Sequence, residues 1–168
     1  MSMKIRAMYF TGTGTTAKIT TSIAYSMWSE LKSTAGSAEA EDFLSEVEFE
    51  KEADINFAVK TARDKEYIFD ENDIVVFGVP VIAGRVPNVL LKFLDTLKGG
   101  GAIAIPVVLY GNRNFDDALI ELRNILEDKD FRTVAAAAFI GEHSFSKTLA
   151  AGRPDADDMK IADSFAKE

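Results

Sequence analysis

Six consecutive residues, Thr11, Gly12, Thr13, Gly14, Thr15 and Thr16, pack four threonines and two glycines into one short segment. They stand between an apolar run at residues 4–10 and a helical pattern that begins near residue 16. Backbone N–H groups at the start of a helix, joined by threonine hydroxyls, can surround a phosphate without any lysine or arginine. Gly12 and Gly14 allow close approach and positive φ. The segment lacks the Gly-Lys-Ser/Thr ending of a nucleoside triphosphate loop, and it does not follow the G-x-G-x-x-G spacing. Its other reading is a plain turn with a threonine N-cap.

Further residues able to do chemistry recur after later apolar runs. Pro80, Val81, Ile82, Ala83, Gly84 and Arg85 follow one run, and Tyr110, Gly111, Asn112, Arg113 and Phe115 follow another. His143, the single histidine, follows the last. Arg85 and Arg113 read as cations facing a ligand, as solvated loop arginines, or as salt-bridge partners of Asp116 or Asp117. His143 reads either as a proton donor or as a hydrogen-bonded structural histidine. Tyr110 and Phe115 can offer flat apolar faces or pack into the core. No Ser–His–Asp arrangement and no clustered ligand set stand out, so neither catalytic residues nor a metal site are expected.

The elements that must position these residues follow from periodicity. Residues 4–10, 74–79, 103–110 and 132–140 read as strands. The runs at 74–79 and 103–110 have the continuous β-branched and apolar character of strands buried on both faces. The second strand is ambiguous between residues 43–49 and 53–59, and the later segment is preferred. Helices are expected at 16–32, 87–98, 115–128 and 154–165 from apolar residues at helical spacing. Pro87 suits the start of its helix, residues 99–101, all glycine, suit a left-handed end, and Asp155, Asp157 and Asp158 suit the head of the last helix. Alternating strands and helices imply βαβ units and an α/β three-layer sandwich, with a five-stranded parallel sheet of order 2-1-3-4-5. In such sheets ligands sit beyond the carboxyl ends of the strands, where the strand order reverses. That rule gathers the candidate loops at one edge.

The chain of 168 residues suits a single domain spanning residues 1–168, large enough to bury roughly 70% of its unfolded surface. It contains no cysteine, which excludes disulfides, iron–sulfur clusters and cysteine-held zinc. The start shows no signal-peptide pattern, and the longest apolar runs, residues 102–110 and 134–140, are too short to cross a bilayer. A cytoplasmic protein without membrane insertion is expected. A net charge of −8 opposes nucleic-acid binding and suits a basic protein partner as well as simple solubility.

The pattern Thr-x-Thr-Gly-x-Thr after a first strand resembles the FMN phosphate loop of flavodoxins. Residues 78–88, 110–118 and 141–146 sharpen this into a resemblance to the flavodoxin half of the EFR1-type ferrodoxins, in which that half is often fused to a cysteine-rich ferredoxin module. The resemblance covers most of the chain, most strongly residues 73–154. It implies a flavodoxin-like FMN-binding electron-transfer protein; an NAD(P)H-dependent FMN or quinone reductase is the alternative. The cysteine-rich module is absent, so electrons would pass to a separate redox partner of ferredoxin or reductase type. By the same resemblance Thr11, Thr13, Gly14, Thr15 and Thr16 hold the phosphate, and the loops at 80–87 and 110–115 flank the flavin ring. Arginine near the flavin would stabilise the anionic reduced form and raise its potential. Ile82 offers an aliphatic wall where that family usually has an aromatic residue. Residues 33–54 are left without a firm assignment.

Overall fold

The computed structural model describes residues 2–37 and 41–168. Part of the polar stretch at 33–41, namely residues 38–40, lies outside the described residues. The elements run β1 (Ser2–Tyr9), α1 (Thr15–Ala35), α2 (Asp42–Ser45), β2 (Glu48–Lys51), β3 (Ile55–Asn56), α3 (Lys60–Arg63) and β4 (Asp73–Pro80). They continue α4 (Asn88–Leu94), β5 (Ile103–Tyr110), α5 (Ala118–Asp128), β6 (Arg132–Thr133), β7 (Ala137–Ile140) and α6 (Ala156–Lys167).

Every pairing between these strands is parallel, and the sheet runs β2-β1-β4-β5-β6, with β3 also beside β1 and β7 also beside β5. This is the expected order 2-1-3-4-5 with each edge strand in two pieces. Both breaks have the same form, an extra residue on the outer strand. Residues 52–54 lie opposite Arg6 and Ala7, and there the Asp54 carboxylate accepts the Ala7 N–H at 3.1 Å in place of a ladder carbonyl. Residues 134–136 lie opposite Ile105 and Pro106, and proline has no N–H to give the ladder.

The sheet separates two apolar layers. Val75, Phe77 and Val79 of β4 pack with Leu90 and Leu94 of α4 and with Leu122 and Leu126 of α5. On the other face Ile5, Ala7, Val76 and Ile105 pack with Ile19 and Ile23 of α1 and with Ala162 of α6. Alternate residues of the central strands thus go to opposite layers, as the period of two requires. Gly78 lets α1 lie close, since a Cβ there would fall 1.9 Å from Thr20 Oγ1.

Two helices are shorter than expected, for local reasons. α4 stops at Leu94 rather than near residue 98, because Lys98 is drawn into a parallel bridge with Ile68, accepting from Phe69 N–H at 2.9 Å and donating to the Tyr67 carbonyl at 3.2 Å. α5 starts at Ala118 rather than at Phe115, because Asp116 has φ 43° and cannot belong to a right-handed helix. The acidic head of α6 is a reciprocal cap: the Asp155 carboxylate accepts from Asp158 N–H at 3.1 Å, and Asp158 accepts from Asp155 N–H at 2.8 Å. Among the described residues no helix is long and apolar enough to cross a membrane.

Candidate functional site

At the head of α1, Gly14 takes φ 94° at the N-cap position, and no side chain caps the first turn. Apart from that of Gly14 itself, the N–H groups that the helix cannot pair with itself therefore have no side-chain acceptor. Thr11 Oγ1 accepts from Gly14 N–H at 2.9 Å, which closes the loop upon itself. Thr13 Oγ1 and Thr15 Oγ1 lie 3.4 Å apart. Gly12, Thr13 and Gly14 are exposed, and open space surrounds the Cβ positions of both glycines. Thr16 is buried, 2% exposed, so its part in the loop mouth is confined to its first-turn N–H. Lys18, the first basic residue of α1, donates to the Pro154 carbonyl at 2.7 Å and is not aimed into the loop.

Beyond β4, Val81 N–H donates to the Leu109 carbonyl at 2.8 Å and keeps the chain on the sheet past Pro80. A two-residue turn follows. Ile82 and Arg85 exchange N–H to carbonyl bonds of 3.0 and 3.1 Å around Ala83 at φ 51° and Gly84 at φ 74°. Two successive positive φ values mark a type I′ turn. Ile82 projects from it and is 56% exposed. Arg85 grips Glu121 of α5 with two bonds, Nε to Oε2 at 2.9 Å and Nη2 to Oε1 at 2.6 Å, and Val86 N–H adds a third to the same carboxylate at 2.8 Å. The Arg85 hydrogen bonds hold the Glu121 carboxyl below the usual range, against a burial effect that pushes it up. Arg85 is thereby neutralised by its partner and is not a free cation for a ligand.

The loop beyond β5 is tied to this turn. Asp117 N–H donates to the Gly84 carbonyl at 3.1 Å, and Gly84 has no room for a Cβ, which would meet Asp116 Oδ2 at 2.5 Å. Asn112 at φ 57° joins Asp116 and Ala83 among the residues held at positive φ, the sort of backbone conformation retained where surrounding structure enforces it. Tyr110 and Phe115 meet edge to face with ring centroids 5.4 Å apart. Phe115 rests on the apolar core beneath α5, whereas Tyr110 belongs to neither core. Phe115 is thus packed on a core, while the partly buried Tyr110 meets Phe115 from outside both. Arg113 is exposed and makes no ion pair among the described residues.

The last loop, between β7 and α6, joins both neighbours. Gly141 N–H donates to the Tyr110 carbonyl at 2.9 Å, and a Cβ on Gly141 would stand 3.4 Å from Thr15 Oγ1. His143 lies against Gly111, where an added Cβ would meet His143 Cδ2 at 2.6 Å. His143 Nδ1 accepts from Phe145 N–H at 3.1 Å. The histidine is hydrogen-bonded into its own loop. The base of the loop is locked by Glu142, which donates from its N–H to the Arg153 carbonyl at 3.1 Å and accepts from Gly152 N–H at 2.9 Å. Arg153 in turn pairs with both oxygens of Asp158, which holds that carboxyl below the usual range.

The structure therefore brings all the candidate loops to one sheet edge. Glu121, Lys18 and Glu142, passed over in the sequence, prove to be what fixes them. No short-range motif marks these three, because their partners lie 36, 136 and 10 residues away. Among the described residues no group of three or more acidic or histidine side chains could hold a metal ion.

No protein-family model matches this sequence, and no curated protein sequence matches it. Solved structures do match. A flavodoxin from the domain Archaea is 15% identical with a TM-score of 0.56, covering 98% of this chain and 94% of that one. A Streptococcus pneumoniae TIGR4 flavodoxin is 13% identical with a TM-score of 0.55, over 98% of this chain and 96% of that one. An NADH:FMN oxidoreductase, in its apo form, is 18% identical with a TM-score of 0.51, over 97% and 88%. The chain has a flavodoxin-like fold.

Proposed function

We propose that this chain binds FMN at the edge formed by its loops and carries electrons to a separate redox partner, the whole of residues 1–168 acting as one flavin-binding domain akin to the flavodoxin half of the EFR1-type ferrodoxins. The observation that carries the proposal is the head of α1. No side chain caps its first turn, and the threonine hydroxyls belong to the same loop, with Thr11 Oγ1 on Gly14 N–H and Thr13 Oγ1 3.4 Å from Thr15 Oγ1. A phosphate dianion fits such a cradle, because the helix dipole and the N–H groups favour negative charge there. Bound FMN would supply the redox chemistry.

The residues of the chain hold and tune. Thr11, Thr13, Gly14, Thr15 and Thr16 bind the phosphate. The loop of Pro80, Val81, Ile82, Ala83, Gly84 and Arg85 and that of Tyr110, Gly111, Asn112, Arg113 and Phe115 flank the ring, with backbone groups for its polar edge. Tyr110, free of both cores, gives one flat face. Arg113 supplies positive charge that Arg85, paired with Glu121, does not. The acidic surface, net charge −8, suits a basic partner.

The test is stepwise reduction of the FMN-loaded protein, followed by its absorption spectrum. A carrier gives two resolved one-electron steps; a single two-electron step contradicts the carrier role. One observation favours a second reading, an NAD(P)H-dependent FMN or quinone reductase. Ile82 is 56% exposed and borders a cavity of about 310 Å³ shared with Val86 and Val89, so that side of the site is not closed by an aromatic. Rapid bleaching by NADPH alone selects this reading, and no reaction removes it.

A further inference from the structure

Phe145 is 96% exposed, the most open of the large apolar residues among those described. Its exposure is held in place by its loop. Phe145 N–H donates to His143 Nδ1 at 3.1 Å, Ser146 N–H donates to the His143 carbonyl at 3.2 Å, and Leu149 N–H donates to Ser146 Oγ at 3.0 Å. The His143 ring meets the Phe145 ring at 6.2 Å between centroids and presses on Gly111, the first residue of the loop beyond β5. A fully solvated phenyl ring thus stands one side chain away from a loop proposed to flank the flavin. The same loop touches Thr15 through Gly141, so it runs from the phosphate cradle to the ring loop. On the β4 side, Ile82 provides no aromatic surface.

We propose that Phe145 is a flavin-binding residue, giving the isoalloxazine an aromatic contact from the loop between β7 and α6, on the side of the loop beyond β5. This rests on the FMN reading above. A flat, apolar heteroaromatic ring is the ligand surface that removes a phenyl side chain from water while keeping the offset or edge-on geometry aromatic pairs prefer. Glycine at position 111 keeps that approach narrow, since any side chain there would displace His143 and with it the backbone of Phe145.

The experiment titrates wild type, Phe145→Leu, Phe145→Tyr and Thr13→Val with FMN by difference absorption, and with inorganic phosphate as competitor. An aromatic contact of the usual strength predicts FMN binding about threefold to tenfold weaker in Phe145→Leu. Phe145→Tyr should keep the wild-type affinity. Phosphate affinity should not change in Phe145→Leu but should fall in Thr13→Val. Phe145→Leu binding FMN within about twofold of wild type would overturn the inference while leaving the FMN reading intact. So would a parallel loss of phosphate binding, which would assign the effect to packing against Thr15. Failure of wild type itself to bind FMN would overturn both.

Discussion

Residues 12–14 stand exposed at the head of α1, whereas the loops after β4 and β5, a few strands along the same edge, consume most of their polar groups on one another. At the head of α1 the glycines have open space around them and the first turn carries no cap. In the neighbouring loops Arg85 is closed onto Glu121, Asp117 onto Gly84, and three non-glycine residues are held at positive φ. The difference teaches what each region can contribute. The first offers unengaged donors and selects for charge. The others offer a rigid, nearly neutral slot and select for shape.

The largest expected effect breaks the comparison on the side of the donors. Thr13→Val with Thr15→Val should weaken FMN binding about a hundredfold or more, since each lost hydrogen bond to a charged group is worth about 1.5–3 kcal/mol. Calorimetric titration of the double variant measures it, and a loss below about tenfold would mean that hydroxyls do not grip the phosphate.

Next comes rigidity. Gly111→Ala places a methyl group 2.6 Å from His143 Cδ2, and such overpacking costs about 1–3 kcal/mol, a drop of about 2–4 °C in Tm for each kcal/mol. Gly12→Ala meets nothing within 4 Å and should change stability by less than about 0.5 kcal/mol. Thermal unfolding of the two variants side by side sharpens the contrast, and equal losses would erase it.

A smaller effect separates the two arginines. Arg113→Gln should lower the flavin's reduction potential by about 10–40 mV, the equivalent of an exposed charge interaction. Arg85→Gln should move it less, because Glu121 already balances that charge. Spectroelectrochemical titration distinguishes them.

The smallest effect concerns acid. The Glu121 carboxyl is held low chiefly by Arg85, so the folded chain takes up that proton less readily than the unfolded one. The stability it contributes is complete above the unfolded value of about 4.3 and fades as pH falls through the lower folded value. Wild type should therefore lose stability more steeply below about pH 4.3 than Glu121→Gln, as followed by urea midpoints across that range.

The middle of the sheet was legible from the sequence and its margins were not. β1, β4 and β5 fall within two residues of expectation, because unbroken apolar runs leave little choice of register. The second strand read as two rivals, residues 43–49 and 53–59, because the edge is made from part of each: Phe49 pairs with Met3 and Ile55 with Met8, with the excess at residues 52–54 between them. The last strand read as one because nothing in residues 132–140 announces the break opposite Pro106. At the site, turn chemistry revealed the loops, since glycine, proline and threonine mark them locally. The pairing of Arg85 with Glu121 and the packing of Phe115, but not Tyr110, onto a core depend on which distant residue arrives beside them, and spacing does not encode that.

Titration of the purified protein with FMN and with riboflavin tests the central claim most directly, since the two ligands share the ring and differ by the phosphate. The account predicts one FMN per chain and riboflavin at least about a hundredfold weaker, the worth of about two charge-assisted hydrogen bonds. Equal affinity for the two, or no affinity for either, would contradict it.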